Sequence, residues 1–210
     1  IWINIMGTLK VDNLQKRDGT ALITDGVAST SLLTETALRN ASVGMVKLSH
    51  SVASAASSIE FGDTLITDNY LEYYVVTKLI FSANAGLQFQ ISPDNGTTNS
   101  YTTTFSYQHS RNDSSSSGGN KTTSSNYMAT GWSPGNSTGD VLLMSINLQN
   151  FRETTGYKWI KVNANMNANG SDYTWEGGGE LQLQTKQNYF KIYPASGTIT
   201  GYATLYGMVK

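Results

Sequence analysis

The chain has 210 residues, of which 14% are charged, and a net charge of −1, so it lacks the basic footprint that nucleic acid or an anionic membrane surface demands. It contains no cysteine, which excludes disulfide frameworks, thiolate metal sites and cysteine nucleophiles. The length suits one sandwich or barrel domain with a small appendage, and no apolar run approaches the ~20 residues of a membrane-crossing helix.

The opening "IWINI" is too short for a signal-peptide core and has no basic flank. A start at Met6, a processed chain and a partial chain are equally compatible with Ile1 as the first residue. From Gly7 to Asn40 the apolar residues are sparse. Leu9, Val11 and Leu14 form one short apolar piece, and Ala21, Leu22 and Ile23 form another. They flank "RDGT", whose Asp-Gly pair favours a tight hairpin turn. A Ser/Thr-rich stretch over 27–42 follows, with weak support for a short helix and no capping box. This region cannot bury a core alone, so residues 1–41 are expected to form an extended arm that docks on a larger body.

From residue 42 onward the pattern becomes strand, turn, strand. In "VGMVKLSHSV", Met45 falls on one face and Val46 and Leu48 on the other. In "YLEYYVVTKLIFSA", Leu71, Tyr73 and Val75 alternate against Tyr74 and Val76. "GLQFQIS" reads as a half-buried strand with Leu87, Phe89 and Ile91 inward and Gln88, Gln90 and Ser92 outward. "PDNG" turns the chain, Gly96 accepting a positive φ, and "YTTTFSY" reads as the returning strand. Residues 108–126 are polar and low in complexity, and are expected to be a long exposed loop. Leu142, Met144, Ile146 and Leu148 then mark one face of a further strand. Strands also follow in "YKWIKVNANMNANG", "YTWEGGGELQLQTK", "NYFKIYP" and "GTITGYATLYGMV".

About eight strands without a long helix predict an all-β fold, a jelly-roll-like antiparallel β-sandwich over 42–210 with a short extended N-terminal arm over 1–41. Parallel βαβ units are disfavoured because crossover helices are missing. On the last strand, Ile199, Ala203, Leu205 and Val209 suit the core. Gly201 and Gly207 are expected to leave room for large residues of the facing sheet. Tyr202, Tyr206 and Met208 fall on the outer side and are candidates for a subunit interface.

The search for chemistry is mostly negative. Asn165, Asn167, Asn169, Gly170 and Glu176 match the spacing of a calcium loop. Asn stands at its first position, however, and the flanks read as strands, so an asparagine-bearing strand face followed by a turn is the preferred reading and no metal is assigned. Glu153, Asp172, Glu176 and Glu180 could supply a glycosidase pair, but nothing in the spacing sets two of them across a cleft. His50 reads as a surface or interface residue, and His109 opens the polar stretch. No nucleophile elbow, phosphate loop or dinucleotide fingerprint occurs, and "EGGGE" reads as a hairpin turn or bulge. No catalytic residue and no cofactor is therefore assigned. Trp132, Trp159, Tyr173 and Trp175 flank polar loops, and Trp132, Tyr173 and Trp175, with Asp172, are candidates for stacking on and hydrogen bonding to a glycan. Such rings fill sandwich cores and subunit interfaces more often.

Several pieces resemble a known set of proteins. "MGTLKVDNLQKRDGTALITDG" is similar to the N-terminal tag of phage tail-fibre and other virion structural proteins, especially of marine and cyanobacterial phages. "VKLSHSVASAASSIEFGDTLITDNYLEYYVVTKLIF" resembles the start of their β-sandwich domain. "FQISPDNGTTNSY" is similar to their Ser-x-Asp-Gly-Gly hairpin, with Asn95-Gly96 in place of Gly-Gly. "KIYPASGTITGYATLYGMVK" resembles their C-terminal signature.

The resemblance implies a non-enzymatic subunit at the virion surface, a homotrimer contacting capsid, portal or tail proteins. In that setting Leu9, Val11, Leu14, Leu22 and Ile23 would carry virion attachment, and the sandwich would bind a host surface glycan. A capsid decoration protein with no receptor role is the alternative, and a glycan depolymerase is the enzyme reading. The absence of repeats and heptads favours a short spike, head fibre or decoration over a long shaft.

Overall fold

The computed structural model describes residues 14–15, 21–24, 27–28, 44–98, 103–111, 117–124, 128–129, 133–168 and 170–210, with side chains described over 44–98, 133–167 and 170–210. The chain divides into two compact units, Ile1–Val43 and Gly44–Lys210.

The first unit holds a three-stranded antiparallel sheet of β1 (Leu14–Gln15), β2 (Ala21–Thr24) and β3 (Val27–Ala28), in that order. Leu14 pairs with Ile23 and Gln15 with Ala21, so the described ends of the two apolar pieces are antiparallel neighbours. Val27 and Ala28 belong to a strand rather than a helix. The remainder of the suggested helix, with Leu9 and Val11, lies outside the described residues.

The second unit is an antiparallel sandwich. Its small sheet orders β10 (Met128–Ala129), β7 (Leu87–Ser92), β14 (Tyr189–Pro194) and β5 (Ile59–Phe61). Its large sheet begins with β4 (Met45–Ala56), β15 (Ile199–Val209), β6 (Tyr70–Phe81) and β11 (Leu142–Gln149). It continues with β12 (Lys158–Ala168), β13 (Ser171–Leu181), β8 (Thr103–Arg111) and β9 (Ser117–Ser124). If the hairpins β8–β9 and β12–β13 are set aside, the remaining strands, counted along the chain, read first–eighth–third–sixth in one sheet and second–seventh–fourth–fifth in the other. That is the order of a jelly roll, two Greek keys wrapped on each other. The expected sandwich is therefore present; the strands of β8, β12 and β13 were expected, whereas β9, in the stretch expected to be a loop, and the short β10 were not.

Alternation explains most of the core. Tyr73, Val75, Leu79 and Phe81 of β6 point inward, as do Leu142, Met144, Ile146 and Leu148 of β11 and Ile199, Ala203 and Leu205 of β15. Leu87, Phe89 and Ile91 face them from β7, joined by Phe190 and Ile192 of β14; the Phe89 and Phe190 rings lie 5.5 Å apart. Each Val, Leu, Ile, Met or Phe side chain among them removed from water contributes roughly 1.5–3 kcal/mol.

Several expectations give way to local geometry. Leu71 is exposed and Tyr70 is buried, because the pairing of β15 with β6 shifts register between Gly207 and Val209. Ser92 is buried rather than outward; its hydroxyl donates to Asp94 Oδ1 at 2.6 Å and accepts the Gly96 N–H at 3.0 Å, closing the turn. Gly96 takes φ +89° as expected, and Asn95 joins it at +56°. The polar stretch 108–126 is not one long loop: it contributes to β8 and β9, with His109 in β8 paired to Trp175. β8 does not return along β7 but crosses to the large sheet. "EGGGE" is neither turn nor bulge, since Gly177, Gly178 and Gly179 pair in unbroken register with Val162, Lys161 and Ile160. Gly207 makes room for the Tyr70 ring of the neighbouring strand, and Gly201 sits against the Lys78 carbonyl, so neither space serves the facing sheet.

Candidate functional site

The outer face of the large sheet carries the polar residues that the sequence singled out. β12 and β13 form a hairpin closed by the Ala168–Ser171 pair, with Gly170 at φ +78°. Asn-Gly between strands is a strong hairpin signal, since both turn positions favour positive φ. Alternation then places Asn163, Asn165 and Asn167 on one face of β12, opposite Glu176, Thr174 and Asp172. Asn167 Nδ2 donates to Asp172 Oδ1 at 2.7 Å, and Thr174 Oγ1 donates to Asn165 Oδ1 at 3.3 Å. Lys161 Nζ lies 3.0 Å from Glu176 Oε1.

This hairpin disposes of the calcium-loop spacing. Asp172 and Glu176 are four residues apart on one strand, about 13 Å at the usual rise, so they do not converge on one ion. Glu180 lies a further four residues along the same strand, and these carboxylates do not oppose one another across a cleft. Among the described residues no cluster of three His, Asp or Glu side chains is placed to hold a metal ion.

Asp172 and Tyr173 come together in a groove of about 270 Å³, which they line with Leu143, Asn165, Asn167 and Thr174. Trp175 does not join them. It is 1% exposed on the inner side of β13 and belongs to the core, which removes it from the glycan candidates. The cause is phase: Trp175 pairs with Ala164 of β12, whose inward positions also include Val162 and Met166. Trp132 lies outside the described residues.

Residues not singled out by the sequence complete the surface. A second, wider groove of about 540 Å³ is lined by Lys78, Ile80, the loop 136–140 and Val141. Val141 borders both grooves. The register makes them continuous. One row across the sheet is Lys78, Leu143, Asn165 and Thr174. Beside it run Ile80, Val141, Asn167 and Asp172, with the Asn167 N–H donating to the Val141 carbonyl at 3.2 Å. Leu143 is 47% exposed, an apolar floor between polar walls. The available signal was the exposed-phase Leu143 within an otherwise regular strand.

On the other side of β6 lie the interface candidates. Tyr202 is 38% exposed, Tyr206 and Met208 are half-buried, and all three are on the outer face. Tyr202 pairs with Lys78 on one side and Val52 on the other. Its ring sits 5.4 Å from that of His50, whose Nδ1 is 2.8 Å from Thr204 Oγ1. Val52 is 74% exposed, and Val76 and Ile80 extend the apolar surface across β6.

The opposite end of the sandwich is a clasp of charges. Asp68 receives Arg152 Nε and Lys186 Nζ, each at 2.9 Å. These hydrogen bonds, Lys186 first, hold the Asp68 carboxyl below its usual range. Lys158 is fully buried and donates to the carbonyl oxygens of Glu153 and Gly156, and burial lowers the pKa of its ammonium. Tyr73 donates to the Thr67 carbonyl, and burial pushes its hydroxyl up to about 12. These groups brace loops, and none faces the grooves.

No protein-family model matches the chain, and no curated protein matches its sequence. Among the described residues no helix is long and apolar enough to cross a membrane.

Proposed function

We propose that the protein is a non-enzymatic structural subunit of a phage virion, a short fibre, spike or decoration. In this reading it displays its jelly roll at the particle surface and attaches through the N-terminal unit that contains Leu14, Leu22 and Ile23. The observation that carries the reading is the jelly-roll strand order, an architecture that recurs in viral shell and lectin domains. It is an argument from fold, strengthened by the virion-protein resemblance of the sequence. The spacing of Asp172, Glu176 and Glu180 along one strand supports a binding or structural role over glycoside hydrolysis.

A receptor role is preferred to pure decoration because the outer face offers a groove with an apolar floor and several side-chain amides, the mixture that sugars demand. The subunit acts as a homotrimer whose contacts use Tyr202, Tyr206 and Met208. Antibody labelling of intact phage particles in the electron microscope is the test. Label at the particle surface is expected; a protein absent from purified particles would overturn the reading.

A further inference from the structure

We infer that the two continuous grooves form one binding trough for an acidic oligosaccharide, with its anionic group at Lys78 and its neutral hydroxyls at Asn165, Asn167 and Asp172. This deepens, and rests on, the reading of the sandwich as a glycan-binding module. The floor crosses β6, β11, β12 and β13, about 14 Å at the usual strand separation, which is long enough for more than one sugar ring. Ile80, Val141 and Leu143 supply apolar surface for the carbon faces of the rings.

The polarity of the trough follows from its charges. Asp172, already accepting from Asn167 Nδ2 at 2.7 Å, repels a second anion and favours hydroxyl donors. Lys78 is exposed in the wall of the wider groove and has no ion-pair partner among the described residues. An ammonium there favours a carboxylate or sulfate. The loop 136–140 closes the same end with Asn136, Ser137 and Thr138, all exposed and able to bond further hydroxyls, while the carboxylate of Asp140 in that wall is buried and accepts the Ser137 N–H at 2.8 Å. A neutral glycan would leave Lys78 unused, and a nucleic acid would meet Asp172 and a chain of net charge −1.

The test is a glycan array with uronate-bearing, sulfated and neutral oligosaccharides, followed by calorimetry on the best binder. Binding confined to the carboxylate or sulfate arm, weakening with salt, is expected. Which of the two arms responds identifies the anion. Lys78→Gln should lower affinity about tenfold or more and flatten the salt dependence, and Asn165→Ala should weaken binding at unchanged salt dependence. Both positions are exposed, and circular dichroism verifies that the variants fold. A preference for neutral sugars, binding indifferent to Lys78→Gln, or no binding to any arm would each overturn the trough. Label on particles with no glycan bound would overturn only the trough. Acidic-glycan binding by a protein missing from particles would overturn only the virion reading.

Discussion

Gly207 shows how one missing side chain positions a strand. A Cβ there would stand 2.5 Å from the Tyr70 ring, and Tyr70 is fully buried. Neither group has room to yield, so Gly207→Ala should cost about 1–3 kcal/mol, read as a lowered urea midpoint. Thr77 presents the opposite case. Its hydroxyl is buried on the inner face of β6 without a partner among the described residues, whereas every other inward residue from Tyr73 to Phe81 is mainly apolar. Thr77→Val removes an unsatisfied polar group and should raise stability by about 1 kcal/mol in the same measurement.

Asp68 contributes to the acid response. The hydrogen bonds from Lys186 and Arg152 depress its folded pKa, so its contribution is full above the ordinary carboxylate pKa and is lost as pH falls through the depressed folded one. Asp68→Asn should therefore lower Tm at neutral pH, and the gap to the wild type should close in acid; parallel Tm–pH curves would count against the clasp. The fate of Trp175 was not legible at this scale. Period two puts Tyr173 and Trp175 on one face but does not say which face is dry, and only the pairing with Ala164 decides it.

At the scale of elements, legibility followed apolar alternation. β7 and β11 repeat aliphatic or aromatic residues at every second position, and their inward residues match that repeat; in β15 Ile199, Ala203 and Leu205 match it, while Val209 is only half-buried. β9, with the sequence SGGNKTTS, offers no such signal, because its pairing with β8 depends on backbone hydrogen bonds and not on an apolar face of its own. The glycines of β13 misled for a related reason. Gly177 and Gly179 sit opposite Tyr107 and Phe105 in the register, a placement visible only once β8 is known to be their neighbour. The trough was half legible: Asp172 was singled out, while Lys78 and Leu143 lie 65 positions apart in chain order and meet only through the β6–β11 pairing. Edge position should also set dynamics. β9 ends the large sheet and β6 and β11 lie within it, so amide hydrogen exchange should be fastest in β9 and slowest in β6 and β11. Protection of β9 equal to that of β11 would mean that another chain covers the edge.

For the whole molecule, the outer face of the large sheet has two differently built halves. Toward β13 it is polar and grooved; toward β4 it presents Val52, Tyr202, Val76 and Ile80, with Tyr206 and Met208 half-buried beside them. Tyrosine suits a contact between copies because its ring buries apolar area while its hydroxyl finds a partner at the rim. A trimer closed through this half leaves β11, β12 and β13 open, so assembly and ligand binding do not compete except at β6, where Ile80 borders both surfaces and Lys78 pairs with both Tyr202 and Leu143. Tyr202→Glu places a charge at the centre of that contact and has no core role to disturb, Tyr202 being 38% exposed. Sedimentation velocity should show trimer for the wild type and monomer for Tyr202→Glu, with unchanged circular dichroism. A variant that still sediments as a trimer would move the interface off this face, and a monomeric wild type would leave these tyrosines as ordinary surface residues. Because Lys78 borders the contact, the monomeric variant should still bind the acidic glycan, but without the avidity that three linked sites confer.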